Sequence, residues 1–175
     1  MSSVVSSGIA KAMPMRESVV IGMGELRVSR SPQVVLSCIG LGSCIAVCMY
    51  DGTTGVGGLV HVVLPKHDGR SDHDRAKYAD TAVPLLLGEA IAQGGARSRI
   101  TVRIAGGSQM TLAPGLNTTF KTGEKNLAEV LAALQREGMR LAGSDTGGSR
   151  GRTVRMYLDT GRVTVRTIGG DEREI

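Results

Sequence analysis

Residues 39–44 read IGLGSC: two glycines and a serine lead directly into a cysteine. That pattern suits a thiol nucleophile, which needs access, a proton acceptor and donors for an oxyanion. Gly40, Gly42 and Ser43 let the chain turn tightly before Cys44, so that backbone N–H groups from Gly42 to Cys44 can converge beside the sulfur. A free thiol titrates near about 8.5 and holds little thiolate at neutral pH without a partner. An imidazole supplies the missing acceptor. The chain has three histidines, His61, His67 and His73. Two belong to the charged run KHDGRSDHDR, whereas His61 interrupts the apolar run GGLVHVVLP. A lone histidine in such a run is ordinarily a buried structural residue. Here Gly57 and Gly58 precede it and the thiol turn lies one hairpin away. A Cys on one strand and a His on the next can meet across a sheet.

Rival sites fit less well. Gly40-Leu41-Gly42 begins a dinucleotide fingerprint, but Ile45 stands where the third glycine belongs and no helical pattern follows. Residues 147–151 (GGSRG) match a serine nucleophile elbow. That motif should open a helix and have its histidine later, whereas a strand pattern follows and no histidine lies beyond residue 73. Cys38, Cys44, Cys48 and His61 do not converge on a zinc ion if the C-x3-C spacing lies along an extended strand. His67, Asp68, Asp72, His73 and Asp74 read as a solvated loop that keeps the edge of the site polar. No metal or organic cofactor is expected. Cys44 and Cys48 on one strand would lie about 13 Å apart, beyond the roughly 7 Å that a disulfide spans.

The elements that must position these residues are legible from periodicity. Residues 18–64 alternate Val- and Ile-rich runs with Gly, Pro and Asp, which predicts several strands (VVIGMGELRV, QVVLSCIG, SCIAVCMY, GVGGLVHVVL) with a turn at Asp51-Gly52. Ala79, Ala82, Val83, Leu86, Leu87, Ala90 and Ile91 form one helical face. Placing Pro84 in the first turn starts that helix near Asp80 or Thr81. RITVRIA over 99–105 is a strand. A second helix over 125–137 carries Leu127, Val130, Leu131 and Leu134 as its buried stripe and stops at Gly138. A short strand over 139–143 and a hairpin joined at Thr160-Gly161 complete an α/β domain, a sandwich with a mixed, largely antiparallel sheet and two main helices. Residues 18–175 form this single domain, after a mobile, Ser-rich arm over 1–17.

The chain has 175 residues and a net charge of +5, with aromatics at only 2%. Single-strand binders stack bases on aromatic rings, so the charge does not indicate nucleic acid; an acidic protein partner is compatible with it. No run approaches the roughly 18 apolar residues of a membrane span, and the N-terminus lacks a signal-peptide pattern. The expected location is the cytoplasm, where an odd set of three cysteines stays reduced.

The runs GLGSCIAVCMYD, GGLVHVVLP, KYADTAVPLL, AGGSQM, TGEKNLAEV and DTGGSRGRTV, in this order, resemble the CheD family of chemoreceptor glutamine deamidases. The resemblance covers about residues 18–170. It implies an α/β sandwich related to glutamine-deamidating bacterial toxins, and hydrolysis of receptor glutamines to glutamate through Cys44 as nucleophile and His61 as base. A third family position, usually Thr six residues before the cysteine, falls on Cys38. A thiol is a weak acceptor, so what orients the His61 ring is left open; Ser37 would point to the opposite face, and a backbone carbonyl is an alternative. The family also implies association with a CheC-type phosphatase, which sets a non-catalytic binding role beside the enzymatic one. Receptor methylester hydrolysis is a third possibility by the same thioester chemistry.

Overall fold

The computed structural model describes residues 14–70, 73–109 and 121–175. The expected arm lies outside the described residues up to position 13, as does Asp72 of the charged loop. Two five-stranded sheets stack, and two helices cover the second. The first sheet has the order β1 (Glu17–Val20), β3 (Val34–Leu41), β8 (Arg152–Tyr157), β9 (Arg162–Thr167), β10 (Glu172–Glu174). The second has the order β2 (Leu26–Ser29), β5 (Val56–Val62), β4 (Ile45–Asp51), β6 (Ile100–Gly106), β7 (Leu141–Thr146). Six strand pairs are antiparallel and two, β1–β3 and β6–β7, are parallel. The mixed, largely antiparallel sandwich expected from the sequence is the one observed.

Each face of the second sheet is buried. Val47, Met49, Val60, Val62, Val102 and Ile104 pack against α1 (Ala79–Ala92) and α2 (Thr122–Arg136). Ala46, Cys48, Leu59 and Ala105 face the first sheet and meet Leu36, Cys38, Val154, Met156 and Val165 there. A strand covered on both faces has no polar side to alternate, which is why β4 and β5 read as continuous apolar runs.

Several boundaries differ from the periodicity. The run over residues 19–28 divides into β1 and β2, which belong to different sheets. Helix α1 begins at Ala79, with Pro84 inside it rather than in its first turn. The bridge between Leu64 and Tyr78, and the Ala79 N–H donated to the Leu64 carbonyl at 2.9 Å, fix that earlier start. Ile91 is 40% exposed. Helix α2 begins at Thr122, and its buried side is Gly123, Asn126, Glu129, Val130, Ala133 and Leu134. Leu131 falls outside that side and is 40% exposed.

Asp51 ends β4 and is fully buried. Its carboxylate accepts two hydrogen bonds from Arg99 Nε at 3.1 Å, one from Arg99 Nη2 at 2.8 Å, and the N–H groups of Thr53 and Ala96 at 2.9 Å. The Arg99 hydrogen bonds hold it well below the usual carboxylate range. This residue joins the β4–β5 hairpin to the loop that enters β6. Asp51→Ala would leave Arg99 and two amides without their acceptor, and is expected to destabilise the protein by about 3 kcal/mol. Urea denaturation checks the figure; a midpoint equal to wild type would remove Asp51 from the framework.

Candidate active site

β4 and β5 pair with Ala46 opposite His61. Ala46 belongs to the inter-sheet layer, so the His61 side chain faces that layer as well. Cys44 lies two residues before Ala46 and packs against the same layer. The thiol and the imidazole are therefore diagonal neighbours on one face, a relation that separates Cα atoms by about 7–8 Å and leaves long side chains within reach. Cys38 and Cys48 sit in that layer too, with 0% and 2% exposure. Burial pushes Cys48 up to about 12 and Cys38 further still. Cys44 is the one cysteine of the three that is part-exposed; all three are free. Cys44 is the thiol that a substrate can reach.

Around His61 the β1–β2 turn closes on three sides. The His61 N–H donates to the Glu25 carbonyl at 3.0 Å, and the His61 carbonyl accepts from Gly24 N–H at 2.9 Å. The ring nitrogen Nδ1 lies 3.1 Å from the Ile21 carbonyl. A carbonyl only accepts, so Nδ1 carries the proton and Nε2 carries the lone pair. Nε2 is buried and has no hydrogen-bond partner among the described residues, the Cys44 thiol included. Its unpaired state leaves it able to take a proton. The group that orients the imidazole is thus a main-chain carbonyl. Cys38 fills the buried layer beneath, and Ser37 points to the other face of β3, its hydroxyl without a partner among the described residues.

Burial pulls the His61 pKa below its ordinary 6.5, against a smaller upward effect from the Ile21 hydrogen bond and the Glu25 carboxylate. Burial also raises the Cys44 thiol. Both shifts favour the uncharged thiol–imidazole pair at neutral pH.

The turn before Cys44 is gripped from one side. The Gly42 carbonyl accepts from Ser108 N–H at 2.9 Å, the Ser43 carbonyl from Asn126 Nδ2 at 2.9 Å, and the Cys44 carbonyl from Gly107 N–H at 2.8 Å. In a trans peptide the C=O and the following N–H point oppositely. The N–H groups of Ser43 and Cys44 consequently face away from the gripping side, and no acceptor for them occurs among the described residues. Gly42, Ser43 and Cys44 are part-exposed. Two amides without an acceptor among the described residues, beside a part-exposed sulfur, are the arrangement that an oxyanion site requires.

Sequence reasoning did not single out Ser108, Asn126 or Arg152. Arg152 is buried, and its guanidinium donates to Asp145 Oδ1 at 3.0 Å, Ser108 Oγ at 2.7 Å and the Gly147 carbonyl at 2.7 Å. The GGSRG run is a turn before β8, as its pattern suggested, and its backbone closes this network through the Arg150 carbonyl, which accepts from Ser108 Oγ at 2.6 Å. Among the described residues no group of three or more His, Cys, Asp or Glu is placed to hold a metal ion.

Fold and site together define an α/β sandwich protein with a thiol–imidazole pair at the end of a sheet. The family model CheD, described as CheD chemotactic sensory transduction, matches residues 63–167, and the chain belongs to that family. A Symbiobacterium thermophilum protein named "Probable chemoreceptor glutamine deamidase CheD" is 41% identical over 165 residues, 93% of this chain and 100% of that protein. A Thermotoga maritima protein named "Chemoreceptor glutamine deamidase CheD" is 42% identical over 154 residues, 88% of this chain and 94% of that one. Among solved structures, a Neisseria meningitidis protein of the DUF152 family aligns with a TM-score of 0.39 at 11% identity, over 71% of this chain and 52% of the other. Among the described residues no helix is long and apolar enough to cross a membrane.

Proposed function

We propose that this chain hydrolyses selected glutamine side-chain amides of chemoreceptors to glutamate, with Cys44 as nucleophile and His61 as general base. The observation that carries this reading is the His61 ring: Nδ1–H bound to the Ile21 carbonyl, and a free Nε2 on the face it shares with the Cys44 thiol. In the first half-reaction Nε2 takes the Cys44 proton and sulfur adds to the amide carbon. The N–H groups of Ser43 and Cys44 hold the oxyanion. The C–N bond then breaks, and ammonia leaves with the proton from His61. In the second half-reaction His61 deprotonates water, hydroxide adds to the thioester carbon, and the C–S bond breaks to return Cys44 and release glutamate. Each proton taken is given back, and no external reductant or metal enters the balance. Cys38 supports the pair as packing beneath it, without orienting the ring.

The direct test is incubation with a receptor cytoplasmic fragment and peptide mass spectrometry for glutamine-to-glutamate conversion. Absence of conversion by the folded protein across several receptors overturns the reading. The relatives' names and the net charge of +5 support a cytoplasmic chemoreceptor partner rather than nucleic acid. A CheC-type phosphatase as partner is the competing use of this fold; that role would survive Cys44→Ala unchanged.

The shifts of the pair set the pH profile. The active form needs neutral His61 and the Cys44 proton in place. Burial lowers His61 from 6.5, so the acid limb of kcat/KM should be centred below that value. Cys44 titrates above the ordinary thiol range, so the plateau should extend through the mildly alkaline region. An acid limb centred at or above 6.5 would contradict the neutral pair.

A further inference from the structure

Three donors grip the turn that carries Cys44, and one of them is a side chain. Asn126 Nδ2 donates to the Ser43 carbonyl at 2.9 Å and to the Val63 carbonyl at 2.8 Å. Val63 follows His61 by two residues on the chain leaving β5. One planar amide therefore ties the segment bearing the nucleophile to the segment bearing the base. Both contacts are carbonyl oxygens, which fixes the amide nitrogen on that side.

Asn126 is wholly buried in α2. A residue needed only for packing at such a position would be apolar, as Val130 and Ala133 are on the same side of the helix. Instead the chain buries a carboxamide whose Oδ1 has no partner among the described residues, which costs desolvation without a compensating hydrogen bond. The helix is pressed into place to deliver it. A Cβ on Gly123 would fall 2.6 Å from the Gly107 and Ser108 carbonyls, so the first turn of α2 abuts the loop that grips Gly42 and Cys44.

We propose that Asn126 is a positioning residue for the thiol–imidazole pair: it sets the Cys44 turn against the His61 strand and turns the Ser43–Cys44 amides toward the reacting carbonyl. The inference rests on the proposed Cys44 hydrolysis. Val63 and Ser43 are otherwise joined by no hydrogen bond among the described residues. The β4–β5 ladder ends at Ile45 and Val62, so losing the clamp frees the chain just beyond it at Ser43 and Val63, and a displacement near 1 Å at a reacting group costs about 10²-fold in rate.

Asn126→Asp keeps the shape and removes the two donors; Asn126→Ala removes the side chain. Val130→Ala, a cavity on the same side of α2 that removes no hydrogen bond to either segment, supplies a matched loss of stability. Three quantities are measured for each: Tm, kcat and KM on a receptor fragment, and the rate of Cys44 alkylation by iodoacetamide against pH. The expected result is a kcat about 10²-fold lower in both Asn126 variants with KM little changed. The acid limb of alkylation set by His61 should move or vanish, while Val130→Ala keeps wild-type kcat and profile at a comparable Tm. The proposal is overturned by folded Asn126 variants with wild-type kcat and alkylation, or by Val130→Ala losing as much kcat. Alkylation needs no receptor, so the clamp can be judged separately. If the wild type converts no glutamine, the proposed function fails; if alkylation is also unchanged by the variants, the clamp fails too.

Discussion

Cys44→Ala is expected to abolish glutamine conversion and to leave the fold standing. The sulfur sits at the part-exposed rim of the inter-sheet layer, so its removal opens little cavity and costs about 1 kcal/mol. The rate loss is of a different order, at least roughly 10⁴-fold, because no other group at the site can form the thioester. His61→Ala should cost nearly as much in rate, and somewhat more in stability, since the Ile21 carbonyl loses its donor. On the proposed mechanism nucleophile and base act as one unit, so the double variant should be no slower than either single one. Peptide mass spectrometry with initial rates decides this. Multiplying losses in the double variant would mean that His61 assists through some other group. Cys48→Ala is the contrasting control: it lies fully within the layer, so it should lose stability and keep conversion.

The candidate pair was legible in the sequence because it consists of side chains of unusual type in unusual places. A cysteine after IGLGS and a histidine inside an unbroken apolar run are local signals, and the register of β4 on β5 puts them on one face. The sandwich was legible for a similar reason, since the strands and helices carry their own periodicities. What escaped was made of main chain or of sheet assignment. The Ile21 carbonyl that orients His61 has no side-chain signature, although a backbone carbonyl was the alternative once Cys38 replaced an acceptor. Nothing in VVIGMGELRV says that its two halves join different sheets, because pairing is decided by distant partners: β1 with β3, β2 with β5. Asn126 did leave a trace. It shares a helical face with Val130 and Ala133, and a carboxamide on an apolar face asks for a partner. The stripe Leu127, Val130, Leu131 and Leu134 counted apolar residues alone, and so passed over Asn126 on the side that Val130 and Leu134 bury.

Gly106→Ala tests how tightly the end of β6 must approach the nucleophile turn. Gly106 pairs with Ile45 in the β4–β6 register and has φ 118°, a backbone conformation that L side chains rarely adopt. A Cβ there would stand 2.1 Å from the Cys44 carbonyl oxygen. That oxygen cannot retreat, because Gly107 N–H holds it at 2.8 Å and the next residue is locked in β4. The methyl group therefore forces either the β4–β6 ladder to open at its end or the turn to move outward. The first raises the strain and the second displaces Cys44 from His61. The expected outcome is a destabilisation of about 3 kcal/mol, seen as a Tm lower by about 6–12 °C. Below that temperature the surviving rate should still fall about 10²-fold, since the sulfur and the oxyanion amides move together. Gly88→Ala calibrates the experiment. Gly88 lies in α1 with nothing within 4 Å of its added Cβ and no positive φ, so alanine should stabilise it by about 0.5–1 kcal/mol and leave the rate alone. Equal behaviour of the two variants would mean that the β6 loop and the thiol turn are looser than their hydrogen bonds imply. Unequal behaviour ties the reactivity of Cys44 to the backbone contact that only glycine permits at position 106.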